Sequence, residues 1–175
     1  MKVFITGKPG VGKTTLVKRL VNLATGRFVG FWTEEVREGG RRVGFKIITT
    51  DGREALLAHV NITSPWRVGR YGVDVEGFER LVVPMLEACL PQCSKILVID
   101  EIGKMELLSE RFARLVEDIV FGGERDIVAT IPIRDVHPLV RRIRETYDPI
   151  LLTPLNREEM FRRVAEMLLA HIRRN

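Results

Sequence analysis

Gly7-Lys8-Pro9-Gly10-Val11-Gly12-Lys13-Thr14 is a complete G-x-x-x-x-G-K-T stretch near the start of a 175-residue chain. Its flanks decide the fold. Lys2-Val3-Phe4-Ile5-Thr6 is a short β-rich run of the kind that becomes a buried parallel strand. After the loop, Leu16, Val17, Leu20, Val21 and Ala24 recur at helical spacing, and Gly26 stands where a helix would stop. Strand, glycine loop and helix form the setting in which such a loop binds phosphate. Gly7, Gly10 and Gly12 let successive N–H groups turn inward at the positive end of the helix. Lys13 is placed to reach the β- and γ-phosphates, and the Thr14 hydroxyl to hold Mg²⁺.

Alternating strands and helices follow. Phe28 to Thr33 reads as a strand, Glu38 to Arg41 as a turn and Val43 to Thr50 as another strand. Asp51-Gly52 signals a hairpin into a weaker strand at Glu54 to Ala58. This middle part predicts an antiparallel extension on a parallel core. Residues 60–75 read as a glycine- and arginine-bearing loop. Helices are predicted over Glu76 to Leu90, around Leu108 to Ile119 and over Val136 to Arg144, with strands at Lys95 to Ile99, Asp126 to Ile131 and Ile150 to Leu152. Asn156 and Glu159 have capping-box spacing and open a last helix packed through Phe161, Val164, Leu168 and Ile172. The pattern predicts one α/β domain over residues 1–175: a mostly parallel sheet with helices on both faces and a small antiparallel extension.

Composition narrows the classes. With 45% apolar and 29% charged residues and no long apolar run, a membrane span is not expected. No signal or transit peptide is expected ahead of the first strand, so the reading is a cytoplasmic protein. The net charge of +5 comes from basic residues interleaved with acids along the chain, which does not favour nucleic acid as the main partner. Nothing in the pattern specifies an oligomeric state. Arginine outnumbers lysine 21 to 7, with one glutamine, which fits a thermophilic source. Cys89 and Cys93 lack partners at zinc-site spacing and read as two ordinary thiols.

Lys95-Ile96-Leu97-Val98-Ile99-Asp100-Glu101 is an apolar strand ending in two acids, and strand ends are where ligands bind in such sheets. Asp100 is placed to hold Mg²⁺ directly or through water. Glu101 is placed to orient or deprotonate an attacking water. Ile102-Gly103-Lys104 turns over the site, with Lys104 in reach of the terminal phosphate.

These segments, with Gly30 to Arg37, Gly39 to Phe45, Val68-Gly69-Arg70-Tyr71, Asp100 to Glu106 and Thr130-Ile131-Pro132, resemble the thermophile-type nucleoside-triphosphatase family, which includes the animal cancer-related nucleoside-triphosphatase. The resemblance implies a P-loop sheet core of the RecA or adenylate-kinase type. It implies Mg²⁺-dependent hydrolysis of nucleoside 5′-triphosphates to diphosphate and phosphate, with broad tolerance of the base. It carries nucleotide binding to Gly7, Lys8, Pro9, Gly10, Val11, Gly12, Lys13 and Thr14. The second nucleotide-binding segment is Leu97, Val98, Ile99, Asp100, Glu101, Ile102, Gly103 and Lys104. Lys13 and Glu101 inherit the catalytic roles, and Thr14 and Asp100 the metal. Thr33-Glu34-Glu35 and Gly39 to Arg42 belong to the resemblance without an assigned part in the chemistry.

No [N/T]-K-x-D segment, the usual guanine reader, is present. Trp32, Phe31 and Tyr71 are the candidates for stacking on any base. A cation for the transition state is sought among Arg37, Arg41, Arg42, Arg114, Arg134, Arg141, Arg142 and Arg144. Two other readings stay open. The arginines at 141–144 suit the lid of a small-molecule or polynucleotide 5′-kinase. A nucleotide-gated binding module would use hydrolysis only as a timer.

Overall fold

The computed structural model describes all 175 residues. Its centre is a set of short strands whose side chains alternate between two cores. β1 (Lys2–Gly7) sends Phe4 to one side and Val3 and Ile5 to the other. β7 (Ile96–Ile99) does the same with Leu97 and Ile99 against Ile96 and Val98. Strands buried on both faces have no polar side to show water, which is why these runs are continuously apolar.

The other strands are β2 (Phe28–Glu38), β3 (Arg41–Thr49), β4 (Glu54–His59), β5 (Arg67–Val68), β6 (Tyr71–Val73), β8 (Ile127–Pro132) and β9 (Ile150–Leu151). All nine form one sheet in the order β5-β6-β4-β3-β2-β7-β8-β1-β9. The block β2-β7-β8-β1-β9 is parallel, and β2 to β6 pair antiparallel. The antiparallel extension is therefore continuous with the parallel core, because β2 serves both. Its first half pairs with β7 through Phe28 to Phe31, and its length pairs with β3 from Phe31 to Glu38. Part of the segment expected as loop over 60–75 is the β5–β6 hairpin. Strands of two and three residues are too short to carry an alternation signal.

Helices α2 (Val75–Cys89), α3 (Glu110–Phe121) and α4 (Pro138–Tyr147) cover one face, and α1 (Lys13–Leu23) and α5 (Arg157–Arg174) the other. Each of the first three has a polar residue at its start. Asp74 accepts from Gly77 N at 2.9 Å, Ser109 Oγ from Phe112 N at 3.1 Å and His137 Nδ1 from Leu139 N at 3.0 Å. The larger core centres on Phe31, Phe78 and Phe112. These rings meet edge to face with centroids 4.9–6.0 Å apart, and all three are fully buried. No helix is long and apolar enough to cross a membrane.

Two local expectations are corrected. Cys89 and Cys93 are joined in a disulfide: the chain turns at the end of α2, Cys93 N bonds Cys89 O, and the Cα atoms stand 4.8 Å apart. Asn156 and Glu159 form no capping box. Asn156 turns backward instead, its Oδ1 accepting from Thr153 N at 2.7 Å and its Nδ2 donating to Leu151 O at 2.9 Å.

Candidate active site

Parallel pairing brings the ends of β1, β8 and β7 to one edge of the sheet, and three segments converge there. β1 runs into the glycine loop, and Gly12 stands at the head of α1 with φ +109°, a backbone conformation that side chains resist. Lys13 folds back over the loop. Its Nζ donates to Gly7 O at 2.5 Å and lies 3.6 Å from Glu101 Oε2. Thr14 Oγ1 donates to Asp100 Oδ2 at 2.7 Å. The loop and the acidic strand end are thus in contact through two side-chain pairs.

Asp100 is buried and fully engaged. Thr130 Oγ1 donates to Oδ1 at 2.6 Å and the Thr33 N–H to Oδ2 at 3.4 Å, while Thr33 Oγ1 donates to its backbone carbonyl at 2.7 Å. Burial raises its carboxyl above the usual carboxylate range, and the Thr130, Thr14 and Thr33 donors offset only part of that rise. Glu101 is partly exposed. Burial raises its carboxyl, Lys13 opposes the rise, and neighbouring Asp100 adds to it. The Asp100–Glu101 peptide is cis. Glu106, in a 3₁₀ turn over Glu106–Leu108, is buried beside them. A Cβ on Gly103 would stand 2.6 Å from Glu101 Oε1 and 2.8 Å from Glu106 Oε2, so these two carboxyls flank one glycine. Burial and then the Glu101 charge push the Glu106 carboxyl well above the usual carboxylate range.

The remaining residues fall into groups. Leu97, Ile99 and Ile102 pack in the larger core and Val98 and Val11 in the smaller, so their side chains support the site from below. Lys8, Pro9 and Gly10 are exposed at the crest of the loop, and Lys104 is exposed without an ion pair. Among the aromatics, Phe31 lies wholly in the core and Tyr71 is buried with its hydroxyl held by Arg42 and Arg70, so neither is free to stack on a base. Trp32 donates to Glu34 Oε1 and lines a cleft of about 850 Å³ that includes no residue of the glycine loop.

The arginines sought for the transition state are engaged elsewhere or exposed. Arg144 binds Asp135 and Pro132 O, Arg141 pairs with Glu145, Arg142 with Glu117, and Arg37 and Arg42 with Glu35. Arg41, Arg114 and Arg134 are exposed and carry no ion pair. Sequence reasoning missed Arg157, whose Nε donates to Val11 O at 2.8 Å. It also gave no role to Thr33 and Thr130, the residues that hold Asp100. Glu34, likewise unassigned, pairs with Lys18 at 2.7 Å.

A family model described as NTPase matches residues 2–165. The chain belongs to this family. It is 48% identical over 176 residues to the nucleoside-triphosphatase THEP1 of Aquifex aeolicus (strain VF5), covering 96% of this chain and 99% of that one. The crystal structure of THEP1 from the hyperthermophile Aquifex aeolicus superposes with a TM-score of 0.89 at 48% identity, covering 96% of this chain and 99% of that chain. The solution structure of a human cancer-related nucleoside triphosphatase gives 0.77 at 37% identity, covering 97% of each. The P-loop fold expected from the sequence is thus shared with solved members of the family.

Membership in a P-loop family implies a divalent metal. The donor set fits one. The Thr14 hydroxyl and the Asp100 carboxylate, 2.7 Å apart, are hard oxygen ligands on rigid elements. Two such donors would leave most positions of a divalent ion to other oxygen ligands.

Proposed function

We propose that this family member hydrolyses nucleoside 5′-triphosphates to nucleoside diphosphate and phosphate, with little preference for the base and with Mg²⁺ as the metal. The observation that carries the reading is the double contact between loop and strand, Thr14 with Asp100 and Lys13 with Glu101. It joins a phosphate cradle to a carboxylate suited to water activation. The names of its nucleoside-triphosphatase relatives support the same reaction class.

The loop N–H groups and Lys13 bind the phosphate oxygens, with Lys13 exchanging the Gly7 carbonyl for them. Thr14 and Asp100 would hold Mg²⁺, which would supply positive charge to the bound triphosphate. Glu101 Oε accepts a proton from water as the water oxygen bonds to the γ-phosphorus. The bond from that phosphorus to the β–γ bridging oxygen breaks, leaving its electron pair on the diphosphate. Burial, which raises the Glu101 carboxyl, brings it closer to the pH at which a base works efficiently. Thr33 and Thr130 fix Asp100 so that the metal ligand does not rotate.

Phosphate release from ATP, GTP, CTP and UTP, with no acceptor present, tests the reading. Release from all four, lost on chelation and in Lys13→Ala, is expected. Nucleoside diphosphate formed only with an added acceptor, the phosphoryl group passing to that acceptor instead of to water, would make the protein a kinase and overturn it.

A further inference from the structure

If Lys13, Asp100 and Glu101 receive the γ-phosphate, the catalytic end of the site lies on the β7 side of the loop. In the sheet order β7-β8-β1-β9 the other side of the loop is the β9 side, which is where a nucleoside extending away from the catalytic end would lie. What stands there is the connection from β9 to α5, residues 152–156. It is pressed against the phosphate loop at two points. Leu152 N donates to Thr6 O at 2.8 Å, and Leu152 O would be 2.7 Å from a Cβ on Gly7. Arg157 Nε bonds Val11 O, and the same side chain would be 3.6 Å from a Cβ on Gly12.

At the crest of this connection Leu155 is 99% exposed, whereas the next most exposed large apolar side chain, Leu151, is 51% exposed. An apolar side chain so bare on a well-braced loop is unusual. Thr153 N is bound by Asn156 Oδ1, Leu155 N by Thr153 Oγ1 and Asn156 N by Thr153 O, and Pro154 has no N–H. Every N–H of residues 153–156 is thereby committed or absent. The connection offers an incoming base an apolar surface and no backbone donor to read its edge. The stacking candidates Phe31 and Tyr71 are locked elsewhere.

We propose that Leu155 is the platform for the nucleobase, with Arg157 as the brace that fixes it to the phosphate loop, and that contact with the face of the base, without edge readout, is the source of base tolerance. This deepens the triphosphatase reading and rests on its placement of the γ-phosphate.

The test compares equilibrium binding of the β,γ-imido analogues of ATP, GTP, CTP and UTP with that of inorganic tripolyphosphate, which has no base, all with Mg²⁺. Leu155→Ala, at a fully exposed position, should weaken all four analogues by about three- to tenfold, leave tripolyphosphate within about twofold, and keep the melting temperature. Leu155→Trp should tighten all four. Equal changes for analogues and tripolyphosphate, or no change for either, would overturn the platform. So would an unsubstituted protein that binds the analogues no better than tripolyphosphate. A Leu155-dependent preference for nucleotides in a protein that releases no phosphate would instead uphold the platform and remove the hydrolysis reading.

Discussion

Replacing Glu101 by Gln removes one negative charge and one proton acceptor while keeping the shape. The carboxylate stands 3.6 Å from Lys13 Nζ. A pair at about 4 Å interacts by roughly 4 kcal/mol at an effective dielectric of about 20. Part of that attraction holds Lys13 away from phosphate. Removing it, together with the repulsion between a carboxylate and a polyphosphate, should leave nucleotide affinity unchanged or tighten it by up to about tenfold. Turnover should move the other way. Loss of a positioned general base costs about 10²- to 10⁴-fold, or roughly 3–5 kcal/mol of barrier. The melting temperature should not fall, because burial already disfavours the charged form of this carboxyl. Single-turnover phosphate release with enzyme in excess, paired with equilibrium nucleotide binding, separates the two effects. Release within about threefold of the unsubstituted protein, against the expected loss, would refute the base assignment. Parallel loss of binding and release would refute the electrostatic argument.

Three further outcomes concern the scaffold. The Glu106 carboxyl is raised well above 4.5 in the folded protein, so the folded state holds that proton more tightly than the unfolded chain. The stability this contributes is complete below the unfolded value and is lost as pH rises through the folded one. Glu106→Gln should therefore be more stable than the parent at pH ~8, with the difference closing near pH ~4, as read from urea melts; an equal difference at both would contradict the burial argument. Phe112→Ala removes a fully buried ring from the edge-to-face trio and should cost about 3–5 kcal/mol, or roughly 6–20 °C in melting temperature by calorimetry. Reducing Cys89–Cys93, whose sequence separation is only four, should lower stability by about 2 kcal/mol in denaturant titrations.

The parts of the site legible in the sequence were those written in consecutive residues. The glycine loop needs its donors in one turn, and Lys95 to Glu101 announces a buried strand with an acidic end, so each is a local pattern. Residues that act across the sheet left no such mark. Thr33 and Thr130 look like any strand threonine until the order β2-β7-β8 puts them on either side of Asp100. Arg157 is one arginine among many in the last helix, and its partner Val11 lies 146 residues earlier. The Asn156 signal is ambiguous in direction, because an amide can close the loop behind it as readily as cap the helix ahead. Cys89 and Cys93 read as thiols because a reducing compartment disfavours disulfides, and no local signal outweighs that expectation although the chain does join them.

The placement of β1 has a consequence for assembly during synthesis. Its partners in the sheet are β8 and β9, and the hydroxyl of Thr6 finds its carbonyl at Ile131, 125 residues further along the chain. A ribosome releases the phosphate loop on a strand with neither neighbour yet made. Meanwhile β2, β3 and β4 can pair as they emerge, since each is adjacent in sequence to the next. The nascent chain can thus form its antiparallel wing before β1 finds either of its partners. Until then, β1 presents two bare edges of apolar chain. Nucleotide-binding capacity should arise abruptly, once α5 has emerged far enough to bring Arg157 onto the loop.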